Sequence, residues 1–189
     1  GQMMTSDVDV AGRGYGGFVD AEYTYRRGLV QRFGVEYFDE DFDINDLGFL
    51  QRNNEYRLRS SVQLIQSELN FARDNLLDVR AFVQNNVTDD LFTGGGLFIT
   101  DRLTFRNLSR VLLRASYLPP QYDDLNSFGN GAYRTEEWTE FNARWDSDPT
   151  QPFAFGLGGG FREELQEGET LLAEGGFSFR PVDNFTAQL

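Results

Sequence analysis

The chain contains no cysteine, no histidine and no lysine. Without cysteine there is no disulfide, no thiolate metal site and no cysteine nucleophile. Without histidine a Ser-His-Asp triad and an imidazole general base are both impossible. Every one of the 17 basic residues is therefore arginine, set against 30 acids, for a net charge of −13. Nucleic acid is excluded as a partner, because counterion release needs a basic face. The acid excess suits solvated loops. Long apolar runs are also missing. No stretch of about 18 apolar residues occurs, which excludes a transmembrane helix. A transmembrane strand survives that test. Only alternate residues of such a strand must be apolar, so a mean hydropathy of −0.48 averages the signal away.

What the chain has is alternation. A period of two places successive side chains on opposite faces of a strand. Tyr15, Gly17, Val19, Ala21, Tyr23 and Tyr25 share one face; Asp20, Glu22, Thr24 and Arg26 share the other. Leu29, Phe33, Val35 and Tyr37 alternate with Arg32, Gly34 and Glu36. The same holds for Tyr56 to Leu64 against Arg57 and Arg59, and for Leu77 to Val83 against Asp78 and Arg80. It recurs for Val111 to Tyr117 against Arg114, and for Thr139 to Trp145 against Glu140 and Arg144. Phe153 to Phe161 and Leu171 to Phe179 continue it; Leu91 to Ile99 is a further strand blurred by Gly94-Gly95-Gly96, and Phe185 begins another. The reading is all-β: about ten strands, most of them about ten residues long. Strands in soluble domains cluster near five or six residues, whereas tilted membrane strands need about 9–11.

The connections add a second pattern. Arg26-Arg27-Gly28, Thr100-Asp101-Arg102, Asp146 to Gln151 and Pro181 to Asn184 read as tight or short. Asp39 to Asn54 and Pro119 to Ala132 are long. Long and short connections fall on opposite parities, as in a barrel with short turns at one end and long loops at the other. Several of the 18 Phe, 8 Tyr and 2 Trp stand near strand ends, among them Tyr23, Tyr37, Tyr117, Trp145, Phe153 and Phe179. That placement fits interfacial girdles, and also a packed sandwich core.

The segment Asp39 to Asn54 carries a resemblance. Its stretch Asn45-Asp46-Leu47-Gly48-Phe49-Leu50-Gln51-Arg52 follows a strand that ends in acids. Thr104-Phe105-Arg106-Asn107, Tyr122-Asp123-Asp124 and Gly129-Asn130-Gly131 add weaker echoes. Together they resemble a bacterial outer-membrane β-barrel family of unknown function whose barrels follow a family-nine-like carbohydrate-binding domain. The resemblance implies an outer-membrane barrel, a binding domain ahead of residue 1 and further strands outside the chain. It implies no activity and no catalytic residue.

Candidate sites follow from residue chemistry. Asp20, Glu22, Arg32, Glu36, Arg57, Arg59, Asp78, Arg80, Arg114, Glu140 and Arg144 lie on the polar face, and would line a lumen, pairing across strands or setting an ion preference. Asp41, Asp43 and Asn45 offer oxygen ligands for Ca²⁺, but Arg52 stands where an EF-hand needs glutamate. Leu47, Phe49, Leu50 and Arg52 would plug or latch the long acidic loop, since apolar residues in an acidic loop pack against something. Glu163, Glu164 and Glu167 read as a solvated turn rather than a glycosidase carboxylate pair. Gly156, Gly158 and Gly160 mark a strand face that another group approaches.

The expectation is thus an antiparallel up-and-down transmembrane β-barrel, residues 1–189 being part of a larger one in the outer membrane of a Gram-negative bacterium. Its partners would be outer-membrane lipids, with glycans or an N-terminal binding domain at its mouth. No cofactor and no enzymatic activity are expected. The alternative is a soluble all-β carbohydrate-binding module with its apolar face in one sandwich core. A barrel enzyme built on carboxylates, Ser, Tyr or Arg is a third reading. Charge at Val79, Ala81 or Val83 would block membrane insertion, and charge at Arg80 or Gln84 would be tolerated.

Overall fold

The computed structural model describes residues 1–8, 12–42, 52–126, 130–164, 168–182 and 185–188. Thirteen strands are found among them: β1 (Gln2–Val8), β2 (Gly12–Arg26), β3 (Leu29–Phe38), β4 (Glu55–Ser67), β5 (Ala72–Asn86), β6 (Phe92–Phe105), β7 (Arg110–Leu118), β8 (Gln121–Asp123), β9 (Tyr133–Thr135), β10 (Trp138–Asp146), β11 (Phe153–Glu164), β12 (Gly168–Val182) and β13 (Phe185–Gln188). Eleven form a single sheet in the order β1-β2-β3-β4-β5-β6-β7-β10-β11-β12-β13. Every pairing is antiparallel, so each strand lies beside the one before it. The small β8–β9 hairpin is inserted in the connection between β7 and β10. The sheet is open, with β1 and β13 at its two edges. Closure, which the barrel expectation requires, is not reached among the described residues.

Between β2 and β12 the sheet strands are 9–15 residues long. The connections 27–28, 68–71, 106–109, 147–152 and 183–184 fall at one end of the meander. The connections 39–54, 87–91, 119–137 and 165–167 fall at the other, together with 9–11. The tight 27–28 turn depends on Gly28, whose φ of 83° is left-handed and whose carbonyl accepts the Ile65 N–H at 2.6 Å. A Cβ there would lie 2.2 Å from the Ile65 carbonyl oxygen.

Thr100-Asp101-Arg102 is not a turn; it lies inside β6, and the turn follows at 106–109. The Leu91 to Ile99 strand is correspondingly the longer Phe92–Phe105. Its three glycines obscured the alternation, but the ladder with β5 runs through all of them. Glu163 is in β11 opposite Glu169, not in a turn. β1 and the β8–β9 hairpin add three strands to those that alternation marks in the sequence.

The registers align the apolar positions into one continuous face. Val62, Val79, Ile99, Ala115, Phe141, Phe161 and Leu171 follow one another across seven neighbouring strands. A slip of one residue anywhere would move a whole strand's apolar set to the other face. Among the described residues no other layer covers this face. Val19 is 59% exposed, Phe155 42% and Leu113 37%. Aliphatic residues run along much of the middle of the face, with Phe33 and Phe141 among them, and further aromatics gather toward both ends. Tyr37 and Tyr56 pair beside the 39–54 connection. At the other end Tyr23 meets Tyr25 at 4.8 Å, Trp145 meets Phe155 at 5.3 Å, and Phe153 stacks on Phe177 at 5.8 Å. Asp101 interrupts the face, and its carboxylate accepts a hydrogen bond from the Asn75 amide.

Candidate functional site

The opposite face holds nearly all the paired charge. It curves into an open trough of about 1490 Å³ lined from β2 through β7. Asp20, Glu22, Arg32, Arg57, Arg59, Asp78, Arg80 and Arg114, all named from the sequence, line it. Glu36, Glu140 and Arg144 lie on the same face through their registers, Glu36 beside Arg57, Glu140 beside Ser116 and Arg144 beside Leu112.

Ion pairs cross this wall. Arg32 donates to Glu22 at 2.7 Å on the adjacent strand. Arg59 donates to Asp20 at 2.7 Å and contacts Glu36 at 2.8 Å. The first of these pairs skips a strand: Arg59 is on β4, Asp20 on β2, and the guanidinium lies across Gly34 of β3. A Cβ at Gly34 would lie 2.2 Å from Arg59 Nε. The same device recurs further along the sheet. Arg144 on β10 pairs with Asp146, and reaches Glu174 on β12 at 2.9 Å. Gly158 of β11 lies between them, and a Cβ there would be 2.5 Å from Glu174 Oε1. Gly156 and Gly160 are occupied likewise by the side chains of Asp146 and Asn142. The groups approaching this glycine row are therefore charged and polar side chains of the neighbouring strands. Arg162 contacts Glu140 at 3.3 Å and sits 5.8 Å from the Trp138 ring centroid. These half-exposed pairs add little stability, each about 0–1 kcal/mol. Their consequence is order, because the fork of arginine holds a planar geometry that lysine would not.

Gln84 departs from its expected role. It is 7% exposed and accepts hydrogen bonds from both Nε and Nη2 of Arg57, at 2.9 and 2.6 Å. An added charge there would break that contact and face Arg57, so the tolerant position on this face is Gln63, which lines the trough opposite Asp78.

At one end the trough is overhung by loops. Gln121 of the β8–β9 hairpin lines it and accepts the Gly95 N–H at 3.3 Å. That N–H stands next to the register shift between β5 and β6. Asp123 shapes the same loop by accepting the backbone N–H groups of Leu125 and Asn126. The Asn126 side-chain amide, first among its partners, holds the Asp123 carboxyl below the usual range, and the Tyr133 hydroxyl adds to this.

Arg52 closes the long 39–54 connection against this loop. Its Nη2 donates to Asp124 at 2.5 Å, and its Nε lies 3.5 Å from Glu55. All three side chains are largely buried, at 11%, 14% and 5% exposure. Asn86 donates to the same Asp124 oxygen at 2.8 Å, which brings in the 87–91 turn. Arg52 thus ties three connections together. Earlier in the loop, Phe42 is fully buried against Phe38, with ring centroids 5.2 Å apart, and packs over Gly16. Of the other loop residues named from the sequence, Asp41 is exposed. Asp43, Asn45, Leu47, Phe49 and Leu50 lie outside the described residues, as does Glu167.

Burial pushes the Asp124 carboxyl up. The hydrogen bonds from Arg52 and Asn86 and the charge of Arg52 outweigh that, leaving it below the usual carboxylate range. A depressed folded-state value means that its contribution is complete above the unfolded carboxylate pKa and is lost as pH falls through the lower folded one. We expect the stability difference between the native chain and Asp124→Asn, measured by denaturant unfolding, to hold from pH 7 down into the usual carboxylate range. Below that range it should shrink.

No curated protein and no solved structure matches the chain. A family model described as a domain of unknown function matches residues 1–189, and the protein therefore belongs, over its whole length, to the DUF5916 family.

Proposed function

We propose that the chain is a segment of an outer-membrane β-barrel of a Gram-negative bacterium. In this reading the apolar face meets acyl chains and the polar trough is part of the wall of a water-filled lumen. The observation that carries it is the uncovered apolar face of long strands, backed by a concave charged face. In water, a face with Val19 59%, Leu157 60% and Leu171 82% exposed would be an aggregation surface. Against lipid it is the required arrangement, and strands of 9–15 residues are long enough to cross. The aromatic ends fit interfacial girdles, and the loop-rich end fits the outer side. The open edges β1 and β13 would be paired by further strands, because lipid offers no partner for edge N–H and C=O groups.

The lumen would act passively, as a pore or as a scaffold for a carbohydrate-binding domain at its mouth. A soluble carbohydrate-binding module fits less well, since its apolar face would be enclosed. The reading is tested by refolding the protein together with its flanking strands in the presence of phosphatidylcholine vesicles. The expected result is co-flotation with the vesicles, resistant to alkaline carbonate and dependent on detergent for extraction. A monodisperse folded species in buffer without detergent would overturn it.

A further inference from the structure

Two arginines of the trough stand apart from the rest. Arg32, Arg57, Arg59 and Arg80 each have a carboxylate within 4.0 Å, as do Arg144 and Arg162 further along the sheet. Arg102 and Arg114 line the same trough and are exposed, and their guanidinium groups have no ion-pair or hydrogen-bond partner among the described residues. This is unexpected in a chain with 30 acids and 17 arginines. The two are neighbours. β6 and β7 pair Arg102 with Leu112 and Thr100 with Arg114, which makes Arg102 and Arg114 diagonal partners on one face. Diagonal side chains are about 7–8 Å apart at their bases, within reach of long arms. Arg110, on the other diagonal of Arg102, adds a third positive charge. The acids around the pair are each held by another arginine: Asp78, in the row of Arg114 and on a diagonal of Arg102, by Arg80 at 2.5 Å; Asp74, on the other diagonal of Arg102, by Arg73 at 3.8 Å; and Glu140, on a diagonal of Arg114, by Arg162 at 3.3 Å. Leu76 and Leu112 flank Arg102 in its own row, and Thr100 and Ser116 supply hydroxyl donors beside Arg114.

We propose that Arg102 and Arg114 form a subsite for a small tetrahedral oxyanion of the phosphate or sulfate class, taken from free solute in the trough. Two unopposed guanidinium forks on adjacent strands can each give a pair of parallel N–H donors to one such anion. The anion would relieve the repulsion between them. Arginine lining a pore is also the arrangement that passes anions and phosphate. As a station on a transport path the subsite rests on the pore reading; as a binding site it needs only the trough.

The test is titration of the folded protein in detergent with inorganic phosphate, read by ³¹P line broadening and by calorimetry. Saturable binding is expected, competed by sulfate. Arg102→Gln and Arg114→Gln should each weaken it at least tenfold, and the double variant should remove it. Arg27→Gln, with the same charge change in the distant 27–28 turn, should leave it unaltered. Arg102→Lys and Arg114→Lys, which keep the charge and lose the fork, should bind more weakly than the native chain; they test the site even if a glutamine variant fails to fold. No saturable binding, or binding indifferent to both arginines, would overturn the proposal. So would displacement of phosphate by short-chain phosphatidylglycerol, which would make this a lipid headgroup site. Binding in detergent by a protein that never enters vesicles would leave the subsite standing and remove the pore.

Discussion

Val79→Arg is expected to abolish insertion of the folded sheet into a bilayer, while Gln63→Arg leaves it intact. Val79 is the middle residue of β5, with seven residues on either side, and belongs to the apolar face through its pairing with Val62 and Ile99. If the strand crosses a membrane, that position is near the midplane, where arginine costs about 2–4 kcal/mol. The folding equilibrium in lipid would then shift by roughly 30- to 900-fold. Gln63 is on the neighbouring strand and faces the trough, opposite Asp78. A cation there would share the Asp78 carboxylate with Arg80 in the open trough, a change of a fraction of a kcal/mol. The contrast is read as the folded fraction, by electrophoretic mobility of unheated against heated samples after refolding into vesicles. Equal loss or equal tolerance at the two positions would contradict the face assignment. The experiment turns on direction, not on loss of packing, since Val79 has no second layer to pack against.

The second large effect concerns the loops. Arg52→Met should release the 39–54 connection from the 119–137 connection and cost roughly 3–5 kcal/mol at that end of the molecule. The reason is what remains. Glu55 and Asp124 are both largely buried, and without Arg52 they stand as two like charges with little water to screen them. Glu55 Oε2 and Asp124 Oδ1 have no hydrogen bond to begin with. Asn86 and Arg57 do not replace it, because Asn86 reaches only the other Asp124 oxygen and Arg57 lies 3.6 Å from the other Glu55 oxygen. The triple variant Arg52→Met, Glu55→Gln, Asp124→Asn should recover most of the loss, since removing every member of a buried ionic cluster costs less than removing one. The effect is checked by hydrogen exchange of residues 52–56, 86–88 and 121–126. Faster exchange in all three segments is expected for Arg52→Met. An effect confined to residues 52–56 would show that the three connections are not coupled.

Much of the sheet is legible in the sequence, for a physical reason. A strand with unlike environments on its two faces must write them as alternating residues, and the sheet strands from β2 to β12 do so with one stretch of β6 as the main exception, from Gly94-Gly95-Gly96 to Asp101. That exception hides the length of β6, and with it Arg102, which a turn at Thr100-Asp101-Arg102 would have placed outside the trough. Glycine has no side chain to declare a face. Its role appears only in three dimensions, where Gly34 and Gly158 make room for ion pairs two strands apart. The ladders of Arg59 with Asp20 and Arg144 with Glu174 need the register as well as the residue type, so sequence spacing cannot reveal them. β8 and β9 are too short, at three residues each, to establish a period. Arg52 was legible as a loop residue with a structural role, because it stands in an acidic segment. Its partner Asp124 lies 72 residues away, and no local pattern points to it.

The most direct test of the central claim is a nitroxide scan along β5, from Leu76 to Gln84, in the protein refolded into lipid bilayers. Collision rates with oxygen and with a water-soluble nickel chelate are measured at each position. Two opposed oscillations of period two are expected, with oxygen maxima at Leu77, Val79, Ala81 and Val83 and chelate maxima at Asp78 and Arg80. The reverse phase, or uniformly high chelate access on both faces, would contradict the claim.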